Sequence, residues 1–170
     1  MKTAVVYLSQ TGRTMKVAEA IARGIEGDVD IKRMSDVQSL DGYDLVFFGM
    51  PIHGFGAPKG VQDFLEHTCT GKKVALFVTH AAPEGMDLLT GWLDNCKAAA
   101  ACADVVGFFH CQGELAEPIR QYMLASDNKM LQEFAQMGDI TKGQPDESRL
   151  RQATEFGREV ARTKAGSTRG

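Results

Sequence analysis

Short apolar runs alternate with amphipathic stretches along most of the chain. Residues 2–8 (KTAVVYL), 43–50 (YDLVFFGM) and 72–80 (KKVALFVTH) are continuous and rich in β-branched or aromatic side chains. Such runs are typical of strands that are buried on both faces of a sheet. Residues 28–33 (DVDIKR) alternate apolar and polar positions, which predicts a more exposed strand at a sheet edge. Residues 104–111 (DVVGFFHC) complete a set of five predicted strands.

The segments between these strands have helical periodicity. In residues 14–25, Val17, Ile21 and Ile25 fall on one helix face, and charged side chains occupy the opposite face. Further helices are predicted at 59–67, 86–103 and, as an amphipathic closing helix, 144–162. Strands that alternate with helices form a parallel sheet covered on both faces. The pattern therefore predicts a doubly wound α/β fold with a five-stranded parallel sheet.

Residues 114–144, called the insert below, form a longer segment than a crossover from the last strand to the closing helix requires. Two helices are predicted within it, at 116–125 and 128–137. The second helix is predicted to be capped by Ser126 or Asp127, because short polar side chains accept hydrogen bonds from the first turn of a helix.

Three methionines in the insert, Met123, Met130 and Met137, recur at a spacing of seven residues. An apolar stripe at helical spacing is typical of a helix packed on a core. The alternative is a lid or docking surface beside a ligand, since methionine side chains adapt to varied contacts. The sequence leaves both interpretations open.

The composition is that of a soluble globular protein: 170 residues, 44% hydrophobic and 24% charged, with a net charge of −3. We expect one domain over residues 1–164 and a disordered tail at 165–170. The weak negative charge argues against nucleic acid as a partner. No apolar run approaches the roughly 20 residues that cross a bilayer, so no membrane insertion is expected.

The cysteines give no sign of a metal or disulfide framework. Cys69, Cys96, Cys102 and Cys111 form no C-x-x-C pair, so neither a zinc site nor an iron–sulfur cluster is predicted. Met1 leads directly into a strand without a signal peptide, so we expect a cytoplasmic protein with reduced cysteines. A monomer or weak homodimer is expected.

Unusual loop sequences follow the strands and do not precede them. They are SQTGRT (9–14), PIHGFGAP (51–58), THAAPEG (79–85) and CQGEL (111–115). Because the carboxyl ends of parallel strands lie at one edge of a sheet, these loops should meet there. The sequence therefore predicts a ligand site at that edge.

The first of these loops has the chemistry of an anion site. It consists of Ser9, Gln10, Thr11, Gly12, Arg13 and Thr14. Hydroxyl and amide donors at a helix N-terminus suit a phosphate monoester, because the helix dipole adds about half a positive charge there. The dinucleotide and P-loop motifs are absent. The alternative is that Thr11 or Thr14 only caps the helix.

The hexapeptide SQTGRT resembles the [TS]-x-T-G-x-T phosphate loop of the flavodoxins, and the resemblance extends over nearly the whole chain. It implies strand order 2-1-3-4-5, one non-covalently bound FMN and low-potential electron transfer. By this resemblance the six residues of the loop hold the FMN phosphate, with Arg13 either adding charge pairing or facing solvent. The residues implied to hold the isoalloxazine ring are Pro51, Ile52, His53, Gly54, Phe55, Gly56, Thr79, His80, Ala81, Ala82 and Gly85.

The second ring loop, THAAPEG, departs from the family because it contains no aromatic residue. His80 is the nearest substitute, or it bonds to a backbone carbonyl at the strand end. We therefore expect a more open ring site. In the first ring loop, Gly54 and Gly56 permit positive φ and a reorienting peptide. His53 is a candidate to stabilise the reduced flavin near N1.

Two classes of function follow from the resemblance. The first is an electron carrier that shuttles electrons between redox partner proteins and needs no catalytic side chains. The second is an FMN-dependent oxidoreductase that reduces a quinone, flavin or tetrapyrrole. Two other classes that use this fold are disfavoured, since the first loop lacks the C-x5-R of a phosphatase and the third strand lacks the terminal aspartate of a response regulator.

Overall fold

A computed structural model describes residues 1–166, and side chains as far as Lys164. The strands are β1 (Lys2–Tyr7), β2 (Asp28–Arg33), β3 (Leu45–Pro51), β4 (Lys73–His80) and β5 (Asp104–Gln112). The helices are α1 (Arg13–Gly24), α2 (Val61–Cys69), α3 (Asp87–Ala98), α4 (Glu117–Leu124), α5 (Lys129–Gln136) and α6 (Glu147–Gly166). Short 3₁₀ turns lie at Met34–Asp36 and Met137–Thr141.

The strands form one five-stranded sheet in the order β2-β1-β3-β4-β5, and every neighbouring pair is parallel. The predicted doubly wound fold is confirmed. The strand order reverses between β1 and β3, so the loops after these strands run to opposite faces of the sheet. This reversal leaves a crevice at the carboxyl edge, which is where such sheets bind ligands.

Alternate residues of the strands point into two apolar layers. Phe48 packs with Leu65 of α2 and Leu93 of α3 on one face. Its neighbour Phe47 packs on the other face with Ile21 of α1, where α6 also lies. This alternation follows from the two-residue period of a strand, and it explains why the central strands are continuously apolar.

Helices α1 and α6 approach each other closely at two glycines. A Cβ atom added at Gly157 would lie 2.3 Å from the carbonyl oxygen of Ile21, and one at Gly24 would lie 1.9 Å from that of Thr154. The Thr154 hydroxyl donates a hydrogen bond of 2.9 Å to the carbonyl oxygen of Ala20. The absence of side chains at the two glycines therefore permits backbone contact between the helices.

The third helix ends earlier than its sequence predicts. Helix α3 ends at Ala98, although the alanine-rich segment favours helix as far as residue 103. The carbonyl oxygen of Cys102 accepts a hydrogen bond of 3.0 Å from the N–H of Gly71, next to the start of β5. The chain must turn here to enter the sheet, so tertiary contacts override helix propensity.

The cap of the second insert helix also differs from the prediction. Asn128, and not Ser126 or Asp127, is the N-cap residue of α5, and its side-chain oxygen accepts from the N–H of Met130 at 3.0 Å. The Ser126 hydroxyl oxygen accepts from the N–H of Asn128 and so supports the turn that precedes the helix.

The closing helix takes in part of the predicted tail. Helix α6 extends to Gly166, and residues 167–170 of the predicted disordered tail lie outside the described residues. Over residues 1–166, no helix combines the length and the apolar character that crossing a membrane would need.

The insert is a helical hairpin whose two ends lie side by side at the carboxyl edge. The N–H of Glu114 donates to the carbonyl oxygen of Gln144 at 3.1 Å, and that of Leu115 donates to the Thr141 hydroxyl oxygen at 2.9 Å. The Arg120 side chain of α4 donates to a backbone carbonyl of α5. The two ends of the insert are therefore joined by hydrogen bonds, and its helices lie over the crevice.

Candidate functional site

The loops after β1, β3 and β4 meet the insert around a cavity of about 230 Å³ at the carboxyl edge of the sheet. The predicted residues that line it are Gln10, Thr11, Arg13, Thr14, Pro51, Ile52, His53, Gly54, Phe55, Thr79, His80 and Ala81. The predicted residues that do not line it are Ser9, Gly12, Gly56, Ala82 and Gly85. The latter belong to the same loops, so the structure brings these three loops together around one cavity, to which the fourth predicted loop contributes Gly113, Glu114 and Leu115.

The loop after β1 turns into α1 at a glycine. Gly12 is the N-cap residue, and its φ of 85° lies in the left-handed region that glycine adopts without steric cost. No side chain caps this helix, so neither Thr11 nor Thr14 serves as its cap. Ser9 Oγ accepts from the N–H of Gly12 at 3.0 Å within the loop. The N–H groups of the first helical turn thus remain available to an anion.

A buried pair of hydroxyls lies below this loop. Thr14 Oγ1 and Thr79 Oγ1 are 2.8 Å apart and join the start of α1 to the end of β4. Each hydroxyl carries one hydrogen, and the bond between them uses only one. Because both residues line the cavity, the other hydrogen is free to be donated to a ligand there.

Arg13 is tied to the insert by an ion pair. Its guanidinium Nη2 lies 2.9 Å from a carboxylate oxygen of Glu114, and the same oxygen accepts from the N–H of Gly143 at 3.2 Å. Arg13 is therefore paired with Glu114 and does not simply face solvent, while its charge pairing with a phosphate stays a prediction. Its Nε atom is buried and has no hydrogen-bond partner among the described residues. A buried donor without an acceptor indicates a group that the site is built to receive.

The loop after β3 contains a tight hairpin turn. His53 and Gly56 exchange backbone hydrogen bonds, with His53 N–H donating to the Gly56 carbonyl at 2.9 Å. Gly54 and Phe55 have φ values of 57° and 69°. The positive φ predicted for Gly54 and Gly56 thus falls on Gly54 and Phe55. Positive φ is rare for a bulky side chain and marks a strained position.

Two neighbours hold Phe55 in this conformation. Its ring centroid lies 4.9 Å from that of Trp92 on α3, and its carbonyl oxygen accepts from Asn95 Nδ2 at 3.1 Å. Side-chain and backbone contacts from one helix therefore offset the strain of the turn.

His80 is bonded through both ring nitrogens. Its Nδ1 lies 3.0 Å from the carbonyl oxygen of Ala82, which can only accept, so Nδ1 carries the proton. Its Nε2 lies 3.0 Å from Nδ1 of His110 and accepts from it when both rings are neutral. Burial and the adjacent His110 lower the pKa of His80 to about 4. His80 thus takes the role of a strand-end residue bonded to a backbone carbonyl.

The remaining predicted residues of the loop after β4 hold its shape. The carbonyl oxygen of Ala82 also accepts from Gln112 Nε2 at 3.1 Å, and Gly85 turns the chain with a φ of 89°. The neighbouring Glu84 accepts from Arg149 Nε of α6 at 3.0 Å. These contacts fix the loop from outside the cavity.

Cysteine chemistry does not contribute to the cavity. Cys69, Cys96 and Cys111 are buried in the two apolar layers. Burial raises the pKa of Cys96 to about 11 and that of Cys111 to about 12, so these thiols are inert packing groups. Within residues 1–166, no cluster of three or more His, Cys, Asp or Glu side chains could hold a metal ion.

One wall of the cavity lies outside the predicted site residues, and only the lid alternative for the insert anticipated part of it. Helix α3 contributes its N-cap residue Met86 and Trp92, and the helical part of the insert contributes Ile119, Met123, Met130, Leu131, Glu133, Phe134 and Met137. The methionine spacing was the available signal, and all three of those methionines face the cavity. Trp92 gave none, because it lies in an ordinary amphipathic helix. Apolar side chains of the insert line the cavity beside the loops after β3 and β4. The more open ring site expected from the aromatic-free loop stays a prediction.

A family model described as a flavodoxin domain matches residues 4–158. The chain belongs to this flavodoxin family. The flavodoxin-like domain-containing protein BilS of Clostridioides difficile (strain CD3) is 27% identical over 170 residues, which cover 94% of this chain and 96% of that protein.

A solved flavodoxin and a solved flavoprotein share the fold. A flavodoxin from the domain Archaea has a TM-score of 0.59 at 20% identity, over 97% of this chain and 99% of that one. A flavoprotein from Lactobacillus acidophilus NCFM, solved in complex with FMN, has a TM-score of 0.51 at 19% identity, over 64% and 92% of the two chains.

The flavodoxin fold implies flavin binding, and the donor set of this flavodoxin domain fits a phosphorylated flavin. The first turn of α1 has no side-chain cap, and Arg13 Nε is buried without an acceptor among the described residues. The hydrogen bond between Thr14 and Thr79 leaves one hydroxyl hydrogen unused. All three features favour an anionic ester. Apolar and aromatic side chains line the rest of the cavity, as a planar ring requires.

Proposed function

We propose that this flavodoxin domain binds FMN and transfers electrons between redox partner proteins. The observation that carries the proposal is that one cavity joins an anion-binding loop to apolar and aromatic walls. A phosphate ester and a broad planar ring are the two parts of FMN that such a site would recognise. The fold shared with a flavoprotein solved in complex with FMN supports this choice of flavin.

The residues of the chain divide into two roles toward FMN. Gln10, Thr11, Arg13 and the first turn of α1 would hold the phosphate, and the loops at 51–56 and 79–85 would hold the ring. Bound FMN would supply reversible transfer of one or two electrons. The protein would orient the ring and exclude water from it.

A carrier is favoured because the cavity presents no set of catalytic side chains. Its ionisable lining residues, within the described part of the chain, are Arg13, His53, His80, Glu114 and Glu133. His80 is bonded through both nitrogens, and Arg13 is paired with Glu114. No nucleophile stands beside a base, so electron transfer alone suits the site better than acid–base chemistry.

The proposal is tested by flavin binding to the apoprotein. We expect FMN to bind in a 1:1 ratio and give a yellow complex. Replacing the Thr11 hydroxyl in Thr11→Val should weaken FMN binding by about 10-fold or more, since a hydrogen bond to a charged group is lost, and leave riboflavin binding unchanged. A protein that stays colourless in excess FMN would contradict the proposal.

One observation favours an FMN-dependent oxidoreductase as the second candidate. The insert places Ile119, Met123 and Leu131 over the cavity, an apolar cover that could also receive a quinone, flavin or tetrapyrrole. Stopped-flow mixing with NADH or NADPH separates the two functions. Rapid direct reduction followed by turnover of such an acceptor would favour the enzyme, and reduction only through a reductase protein would favour the carrier.

A further inference from the structure

The cavity has an aromatic wall that none of the loops after the strands could provide alone. Trp92 of α3 lies between Phe55 of the hairpin turn, at a centroid distance of 4.9 Å, and Phe134 of α5, at 6.1 Å. Three distant parts of the chain thus bring their rings together in one row. All three side chains line the same cavity as Thr11 and Arg13.

This row of rings differs from an ordinary core contact. Phe55 is 40% exposed, and Trp92 and Phe134 are only partly buried. Core aromatic residues of the same protein, such as Phe48 and Phe77, are fully buried. The exposed ring surface therefore faces the cavity, where a ligand would cover it.

The strained turn gives an independent indication. Positive φ at Phe55 is sterically unfavourable, and such positions cluster where a ligand is held. A glycine at this position would avoid the strain but would provide no ring to stack on Trp92. The chain therefore keeps the phenylalanine ring at the cavity at the expense of backbone stability.

The loop after β4 leaves a place for such a wall. It has no aromatic residue, and both nitrogens of His80 are bonded away from the cavity, to Ala82 and His110. We infer that Trp92 and Phe134 take the place of the missing loop aromatic and cover the flavin ring. The insert is then part of the cofactor site. This inference rests on the proposed binding of FMN.

The test measures the affinity of Phe134→Ala for three probes, namely FMN, riboflavin and inorganic phosphate as a competitor of FMN. Loss of one stacked ring should weaken FMN and riboflavin binding equally, by about 10-fold, and leave the inhibition constant of phosphate unchanged. Tyr122→Ala is the matched control, because Tyr122 lies on the same hairpin but is 74% exposed and does not line the cavity. It should leave all three constants unchanged.

Two further measurements guard against a merely structural effect of the substitution. Trp92→Phe keeps an aromatic ring and should retain riboflavin affinity within about 2-fold, whereas Trp92→Leu should lose about 10-fold. Hydrogen exchange of the α4 and α5 amides in the wild-type chain should slow when riboflavin binds and should not slow with phosphate alone.

The outcomes separate this inference from the proposed function. The inference would be overturned if Phe134→Ala bound FMN and riboflavin as tightly as the wild type does, and if riboflavin did not slow hydrogen exchange of the insert amides. The proposed binding of FMN would remain intact. A wild-type chain that binds phosphate but no flavin would overturn both.

Discussion

The Arg13 guanidinium has two competing partners at this site. Glu114 pairs with it at 2.9 Å, and a phosphate bound at the start of α1 would attract it as well. Because the pair is about one-third exposed, its strength is modest, roughly 1 kcal/mol or less. Glu114 therefore opposes anion binding by a few-fold only.

Glu114→Gln is expected to tighten FMN binding by about 2- to 5-fold, since Arg13 no longer pairs with a carboxylate. Fluorescence titration with FMN at low and high salt measures the change, which should shrink as salt rises. Glu133→Gln is the control, because it removes a carboxylate that lines the same cavity without an ion pair to Arg13. An equal gain in both variants would show a general charge effect and not release of Arg13.

His80 makes stability depend on pH between neutrality and pH 4. Its folded-state pKa of about 4 lies below the ordinary value of 6.5, because burial and His110 disfavour the charged ring. As the pH falls, His80 is therefore protonated in the unfolded chain before it is protonated in the folded chain. The contribution of His80 to the free energy of unfolding is complete above pH 6.5 and decreases as the pH falls toward 4. Burial lowers the pKa of His110 in the same direction.

The free energy of unfolding should be about 2 kcal/mol lower at pH 5 than at pH 7 from His80 alone. Urea denaturation at the two pH values measures it. His80→Gln should remove most of this difference, while His67→Gln, which alters an exposed histidine at the end of α2, should keep it. If His80→Gln kept the difference in the free energy of unfolding between pH 5 and pH 7, another titrating group would be its cause.

At the scale of elements, the contact between α1 and α6 depends on two missing side chains. Gly157→Ala would place a methyl group 2.3 Å from the carbonyl oxygen of Ile21, so the helices must separate. We expect unfolding in urea to show a loss of about 1–3 kcal/mol. Gly91→Ala is the control, because this helical glycine of α3 has open space around it and should gain up to about 1 kcal/mol. Similar losses in both variants would contradict close helix contact as the cause.

Most elements could be predicted because local pattern and tertiary environment agree. The central strands are continuously apolar because both faces are covered, and α1 has its apolar residues on one face. The end of α3 could not be predicted, since the alanine-rich segment favours helix and the chain turns through tertiary contacts such as the Gly71–Cys102 hydrogen bond. Where local helix propensity and the contacts made by the sheet favour different conformations, the sequence predicts the wrong helix boundary.

At the scale of the whole molecule, parallel topology made the loops of the site predictable. The carboxyl ends of β1, β3 and β4 must lie at one edge, so Thr11, His53 and His80 could be brought together without a structure. The positions of Trp92 and Phe134 at the cavity could not be predicted in this way. Trp92 lies in an ordinary amphipathic helix, and the approach of Phe134 to it depends on how the insert folds back over the crevice, which no sequence period indicates.

The two ends of the insert lie close enough together for the helical hairpin between them to be deleted. Since Glu114 and Gln144 are joined by a backbone hydrogen bond of 3.1 Å, a two-residue turn could replace residues 116–142. The core layers lie largely outside this segment, so we expect cooperative unfolding to persist. The shortened chain should keep its phosphate inhibition constant, because the loop after β1 is intact.

The same deletion should weaken riboflavin binding by about 10-fold or more, because Phe134 and the methionines no longer cover the ring. Iodide quenching of flavin fluorescence measures exposure of the ring, and the deletion should raise the quenching constant of bound FMN toward that of free FMN. Phe134→Ala should fall between wild type and the deletion. If the deletion leaves both riboflavin affinity and iodide access unchanged, the insert acts only as a surface for partners, and electron-transfer rates with a reductase protein should then be the property that changes.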